Sequence, residues 1–198
     1  TLKLFIIHFL FILNVSFSST IIPPYSHADW KILQDTPIWI GWTDYGGFQW
    51  CQASFIIPAS LEKVQTIIED KRNYPKVFKR VESVKIITDE IVHIVLDMPF
   101  PFYGRDYIVG YTQLQENGDT IYRFNAVTDS DIPIYEDYVR LIHAAGEWRL
   151  QKLDANSTKV SYTWNGELLG DFPDWALTRA WETQGDEVLN WLKEAAKE

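Results

Sequence analysis

The residues with the clearest chemical potential are a charged pair at the start of an apolar strand. Arg105 and Asp106 follow an aromatic turn stiffened by prolines, residues 99–103, and directly precede the apolar run 107–111. Because charges are rarely buried without partners, the pair indicates one of two things: an ion-paired loop closure, or a polar group at the rim of a ligand cavity. The local sequence is compatible with both.

His143 is a second candidate for polar chemistry. In a strand over residues 135–153, alternation would place Asp137, Leu141 and His143 on one face. With Tyr107 or Tyr111, the histidine and the aspartate could then form a general acid–base set, although such a histidine is more often a hydrogen-bonded core residue. The sequence has no nucleophile elbow, phosphate loop or dinucleotide fingerprint, so we expect no enzyme.

Composition excludes several other classes of function. The chain has 198 residues, enough for one well-buried domain, and a formal net charge of −9. Since its basic residues are scattered, we expect no nucleic-acid partner. One cysteine and four histidines without ligand spacing predict no metal. No cofactor motif is present, so we expect no cofactor.

The first residues have the pattern of an export signal. Lys3 is followed by the apolar run 4–13, and Ser16 and Ser18 offer a small-residue cleavage site. We therefore interpret residues 1–19 as a signal peptide and the protein as exported, either periplasmic or secreted. The alternative is an uncleaved leader, which would anchor the protein in a membrane.

Periodicity predicts the elements that must position these residues. We expect a short helix at 29–34, a hairpin from strands 37–42 and 49–57, and helices from Leu61 and over 74–78. About six strands should follow between 81 and 169, and then one long helix from Pro173 or Asp174 to the end. These are the ranges of the six strands: 81–88, 91–97, 105–116, 120–128, 135–153 and 158–169.

This order indicates an α+β protein. About eight antiparallel strands must form a curved sheet wrapped around the long C-terminal helix, because that helix has an apolar stripe to bury. The stripe contains Leu177, Trp181 and Val188, which could serve as core, as the wall of a cavity, or as both. The domain should span residues 29–198.

The element order and three motifs resemble those of the START (StAR-related lipid-transfer) domains, in the helix-grip superfamily. Gly104-Arg105-Asp106-Tyr107 enters a strand, Gly146-Glu147-Trp148 lies on a long strand after Tyr138-Val139-Arg140, and Gly170 to Trp175 leads into the last helix. The resemblance covers about residues 29 to 195. No single motif is specific; their order and spacing carry the resemblance.

The resemblance implies a hydrophobic tunnel between the sheet and the last helix, holding one lipid or sterol-like molecule. Sterol-binding members carry a buried basic residue where this chain has Tyr111, so a sterol is not the obvious ligand. The ligand-binding residues that we predict are Arg105, Tyr107, Tyr111, Leu141, His143, Leu177, Trp181 and Val188.

Three functions follow, in order of preference. The first is a carrier or sensor of a hydrophobic small molecule, with transient membrane contact. The second is an enzyme like the polyketide cyclases and dehydratases of the same superfamily. The third is a filled-core domain that binds a protein partner. If the helix face lines the tunnel, tryptophan at Leu177 or Val188 should block ligand uptake.

Overall fold

A computed structural model describes residues 21–127, 132–170 and 172–197 of the chain. Ten strands of one sheet and three α-helices occur in these ranges. The strands are β1 (Lys31–Gln34), β2 (Trp39–Tyr45), β3 (Phe48–Ile57), β4 (Val81–Ile86), β5 (Ile91–Leu96), β6 (Gly104–Glu116), β7 (Asp119–Ala126), β8 (Tyr138–Arg140), β9 (Ala145–Lys152) and β10 (Thr158–Asn165). The helices are α1 (Leu61–Glu69), α2 (Tyr74–Val77) and α3 (Leu177–Ala195), with 3-10 turns at Lys71–Asn73 and Asp174–Ala176.

The sheet is antiparallel except for one short pairing. β4, β5, β6 and β7 are successive neighbours, β9 and β10 continue the sheet, and β10 pairs with β3, which joins the first hairpin to it. β8 instead pairs parallel to the start of β6. The predicted antiparallel meander is confirmed, with about ten strands in the sheet rather than eight.

The C-terminal helix lies across the concave face of the curved sheet. Trp181, Gly185 and Leu189 are buried on the face of α3 that contacts β2 and β3. The glycine permits this close approach, because a Cβ atom there would lie 3.1 Å from Ala53 Cβ and 3.1 Å from Ile40 Cδ1. A glycine inside a helix is about 1 kcal/mol less favourable than alanine, and the contact explains why it is tolerated.

The sequence-based prediction of a helix at residues 29–34 is wrong. Residues Lys31–Gln34 form strand β1, which pairs antiparallel with β2 and sets Lys31 opposite Trp42. Trp30 packs edge-on against Trp39, with ring centroids 6.1 Å apart. The apolar pattern of so short a segment fits either a helix or a strand, and hydrogen bonding to the edge of β2 favours the strand.

The single strand predicted over 135–153 is divided in two. A turn at residues 141–144 separates β8 from β9, and it is held by a hydrogen bond from the Leu141 N–H to the Asp106 carbonyl at 2.8 Å. The alternation assumed between Asp137 and His143 is therefore interrupted. Pairing with β6, which local sequence does not reveal, causes the break.

The predicted leader, residues 1–19, lies outside the described residues, so export stays a prediction. Among the residues that the structure does describe, no helix is both long and apolar enough to cross a membrane. The first described segment packs on the sheet: the Arg149 guanidinium carbon lies 4.6 Å from the centre of the Tyr25 ring.

Candidate functional site

A cavity of about 340 Å³ lies between α3 and the concave face of the sheet. Gln184 and Val188 of α3 form part of one wall, and inward-facing residues of β6, β7, β9 and β10 form the opposite wall. Parts of segments 96–102 and 164–172 complete the lining. The volume is in the range of small-molecule sites, about 300–1,000 Å³.

Three stacked rings form the wall contributed by β9 and β10, which we call the aromatic wall: Trp148, Tyr162 and Trp164. Trp148 lies opposite Tyr162 across the two strands, and their ring centroids are 4.1 Å apart with planes inclined by 24°. Tyr162 and Trp164, two residues apart on one strand face, have centroids 4.9 Å apart with planes inclined by 16°. Phe78 extends the stack beyond Trp148, with centroids at 6.0 Å.

A group of tyrosines lines the cavity beside this wall. Tyr107 and Tyr111 lie on the same face of β6, and Tyr74 of α2 lines the same cavity. Burial raises the pKa of all three phenols above the ordinary value for tyrosine. They therefore remain protonated at physiological pH. The Tyr74 hydroxyl donates to the Ile68 carbonyl at 2.6 Å.

His143 forms an acid–base pair on the cavity wall with an unexpected partner. Its Nδ1 lies 2.8 Å from Glu167 Oε2, and its ring contacts Phe48 edge-on with centroids at 5.1 Å. Asp137, the partner that the sequence suggested, is exposed; its carbonyl accepts from the Gly104 N–H at 3.1 Å. The predicted His143–Asp137 pair is therefore wrong, and a His143–Glu167 pair takes its place.

A salt bridge between α3 and the start of β4 crosses one edge of the cavity. Arg80 Nη2 donates to Glu187 Oε1 at 2.8 Å, and Arg80 Nε donates to the other carboxylate oxygen at 2.5 Å. Both residues line the cavity. The hydrogen bond to Glu187 raises the pKa of Arg80. This bidentate pair ties the helix to the sheet beside the cavity.

The structure brings five of the predicted site residues together on the cavity lining. These are Tyr107, Tyr111, Leu141, His143 and Val188. Their contact with a ligand stays a prediction. Arg105, Leu177 and Trp181 lie outside the lining.

Arg105 is buried but bound to the backbone. Its Nε donates to the Leu168 carbonyl at 2.8 Å, its Nη2 to the Leu169 carbonyl at 2.9 Å, and its Nη1 to the Tyr103 carbonyl. It shares a strand face with Tyr107, as alternation predicted, but segment 168–169 intervenes between its guanidinium and the cavity. Leu169 has φ 51°, a conformation that few non-glycine residues adopt, and presents its carbonyl to the arginine.

Leu177 and Trp181 face a different part of the molecule. They border a small groove beside Trp42 and Gln49, on the side of α3 away from the main cavity lining. Trp181 is only 1 % exposed, and its indole N–H donates to the Gly166 carbonyl at 2.7 Å. The predicted stripe of α3 is therefore divided: these two residues are structural, and Val188 reaches the cavity.

Asp106, the residue after Arg105, belongs to a separate hydrogen-bond network. Asp106 Oδ2 lies 2.7 Å from His93 Nε2 and 2.6 Å from Arg140 Nη2. As the next residue along β6, Asp106 points to the opposite sheet face from Arg105. Asp106 and Arg140 thus hold β8 against β6.

Sequence reasoning missed several lining residues. The aromatic wall and Phe124 could have been found from period-two alternation, since they occupy inward positions of predicted strands. Glu167 had no such signal, because alternation in the predicted strand 158–169 would place it on the face opposite Tyr162 and Trp164, whereas β10 ends at Asn165. Among the described residues, no group of three or more His, Cys, Asp or Glu side chains could hold a metal ion.

The architecture is that of a helix-grip protein: a curved antiparallel sheet, a long C-terminal helix across it, and a cavity between the two. Solved structures confirm this class. Human StAR-related lipid transfer protein 5 superposes with a TM-score of 0.77 at 17% identity, over 87% of this chain and 88% of that one. The STAR-related lipid transfer protein of Xanthomonas axonopodis gives 0.73 at 21% identity, over 85% and 99%. The chain therefore has the START helix-grip fold.

Two further comparisons concern a structural neighbour with a lower TM-score and a relative found by sequence. The Zhui aromatase/cyclase of a Streptomyces species shares the fold with a TM-score of 0.55 and 19% identity, over 75% of this chain and 93% of that one. An uncharacterized protein of Pseudomonas aeruginosa is 23% identical over 154 residues, which is 74% of this chain and 76% of the relative. No protein-family model matches the sequence.

Proposed function

We propose that the protein binds one hydrophobic small molecule, a lipid or a fatty-acyl or sterol-like compound, in the cavity beneath α3, as a carrier or sensor. The observation that carries the proposal is the cavity itself, about 340 Å³ of space lined largely by aromatic and aliphatic side chains. The START lipid-transfer proteins of the same fold support it. A filled-core interaction domain would instead have its concave face packed solid.

The driving force of binding is the removal of apolar surface from water, about 25 cal/mol per Å². The arginines on the lining already have partners: Arg80 pairs with Glu187, and Arg179 pairs with Glu182. A ligand that enters therefore meets mainly rings and methyl groups.

Access to the cavity requires one of its bordering segments to move, and loop 97–103 is the segment that we propose. Phe100 in this loop is 97% exposed, and Trp175 beside the start of α3 is 85% exposed. Exposed aromatic rings favour transient contact with a membrane surface, from which a lipid could enter. We also keep export as part of the proposal, on the evidence of the leader sequence alone.

Two tryptophan substitutions on α3 test the proposal. Val188→Trp places a large ring in the cavity and should weaken binding of N-phenyl-1-naphthylamine, a neutral apolar dye, at least about tenfold, since the space it needs is filled. Fluorescence titration measures the affinity, and circular dichroism verifies folding.

Leu177→Trp is the matched control, because Leu177 lies on the same helix but borders the groove beside Trp42. Its dye affinity should stay within about twofold of the wild-type value. Equal affinities of both variants and the wild type would show that the cavity is not where apolar molecules bind.

A cyclase-like enzyme is the second candidate, and the His143–Glu167 pair on the cavity wall is the observation that favours it. A histidine held by a carboxylate is a common general base. A His143→Ala variant that retains a bound polyketone but no longer converts it would support this candidate. Unchanged turnover in that variant would remove it.

A further inference from the structure

The aromatic wall contains a buried hydrogen-bond donor without an acceptor. The indole Nε1 of Trp164 has no hydrogen-bond partner among the described residues, and the whole residue is only 4% exposed. Two other buried indoles do have partners: Trp181 donates to Gly166 and Trp50 to Tyr45. Buried N–H groups are nearly always paired, so this one indicates a binding function.

Two phenols on the cavity lining also have hydroxyls without a hydrogen-bond partner among the described residues. Within the described part of the chain, the hydroxyls of Tyr107 and Tyr162 form no hydrogen bond, whereas Tyr74 donates to Ile68 and Tyr122 to Glu69. Both unpaired phenols line the cavity. Burial raises the pKa of each, so they keep their protons and can donate them.

Ring geometry explains which parts of these residues a ligand would meet. Tyr162 is stacked on both Trp148 and Trp164, so much of its ring surface is covered by these neighbours. What remains are ring edges, which carry partial positive charge, and the polar tips of the side chains. This surface attracts electron-rich acceptor atoms.

Charge decides which kind of acceptor fits. The two arginines on the lining, Arg80 and Arg179, are already paired with glutamates. A carboxylate or phosphate buried against the aromatic wall would lose its hydration without gaining an unpaired cation there, which is strongly unfavourable. An uncharged acceptor does not carry this penalty.

We propose that the ligand is an uncharged hydrophobic molecule bearing a carbonyl oxygen, as a ketone, ester or amide, which accepts hydrogen bonds from Trp164 and the adjacent phenols. This inference rests on the proposed function and narrows its ligand class. It also moves the polar contact of the ligand from Arg105, where the sequence suggested it, to the aromatic wall.

The test compares 2-dodecanone with dodecane, which share a chain and differ in the carbonyl group, by displacement of N-phenyl-1-naphthylamine. A variant with Trp164→Phe and Tyr162→Phe keeps an aromatic ring at each position and removes two donors. It should bind 2-dodecanone about tenfold more weakly and dodecane within about twofold of wild type, since only the ketone loses hydrogen bonds.

Phe124→Leu is the control for a change of cavity shape, because Phe124 lines the cavity and has no polar group. It should alter the affinities of both compounds in parallel. Dodecanoate provides the charged comparison: if it binds as tightly as the ketone to wild type and weakens in the double variant, the ligand class is anionic and the proposal is wrong.

A measurement on the wild-type protein covers the case in which the double variant does not fold. The infrared C=O band of bound 2-dodecanone, labelled with carbon-13 at the carbonyl, should lie at lower frequency than in hexane, because hydrogen bonding weakens the bond. A band at the hexane position would overturn the proposal.

The outcomes separate this inference from the proposed function. If the dye, dodecane and 2-dodecanone all fail to bind wild-type protein, the proposed function itself is wrong. If they bind and the double variant weakens the ketone and the alkane equally, the cavity carries apolar ligands but the carbonyl subsite does not exist.

Discussion

The buried guanidinium of Arg105 donates hydrogen bonds to three backbone carbonyls in two segments, those of Tyr103, Leu168 and Leu169. It thereby joins the end of loop 97–103 to the segment before α3. Both segments border the cavity. The arginine thus acts as a structural clamp at the cavity edge.

Arg105→Met tests the clamp. It leaves the carbonyls of Leu168 and Leu169 without their charged donor, so we expect the free energy of unfolding to fall by about 3 kcal/mol. Urea denaturation followed by circular dichroism measures it.

The exposed Arg179 provides the control, since its side chain is 77% exposed and pairs with Glu182 one turn along the helix. Arg179→Met should change stability by less than about 0.5 kcal/mol. A loss below about 1 kcal/mol in Arg105→Met would contradict the clamp, because even one unsatisfied buried carbonyl should exceed it.

The sequence predicted the face of Arg105 correctly and its surroundings incorrectly. Alternation along β6 put it with Tyr107 and Tyr111, which do line the cavity. Two of the three carbonyls that bind it come from a segment more than sixty residues later, in which Leu169 and Gly170 have left-handed conformations. Nothing near Arg105 in the sequence encodes that contact.

At the scale of elements, α3 forms one wall of the cavity and is held in place at two sites. Its buried residues Trp181, Gly185 and Leu189 hold it on β2 and β3, away from the cavity. Beside the cavity it is tied by the Arg80–Glu187 salt bridge, whose side chains are 35% and 27% exposed. Ligand exchange should therefore depend on this bridge.

Glu187→Gln should speed ligand release. A half-exposed ion pair stabilises by about 1 kcal/mol, so we expect release of the bound dye to become roughly fivefold faster, with little change in the stability of the domain. Stopped-flow fluorescence, with an excess of lipid vesicles as acceptor, measures the rate.

Glu182→Gln removes a comparable charge from the same helix, where it pairs with the exposed Arg179. Its release rate should match wild type. Equal rates for Glu187→Gln and Glu182→Gln would show that the Arg80–Glu187 pair does not control access.

Long elements could be predicted from the sequence and short ones could not. The hairpin of β2 and β3 and the helix α3 have enough residues for a clear period, and both were predicted. β1 has four residues, and its pairing with β2 decides its conformation. β8 has three residues, and it is held in place because Arg140 donates a hydrogen bond to Asp106 of β6.

At the scale of the whole molecule, the fold was easier to predict than the presence of a cavity. The order of elements and the apolar stripe of the last helix indicated a sheet around a helix, and the helix-grip fold is confirmed. Whether side chains fill the space between them depends on the position of α3, which is set by contacts such as Gly185 on Ala53. The periodicity of the sequence does not reveal how far α3 lies from the sheet.

Native mass spectrometry of the protein as purified from cells tests the central claim most directly. We predict one added mass per chain, released by organic solvent and identifiable as an uncharged hydrophobic molecule, because the cavity of about 340 Å³ accommodates a single small ligand. Two results together would contradict the claim: the protein is found only at its own mass, and it leaves the fluorescence of added N-phenyl-1-naphthylamine unchanged.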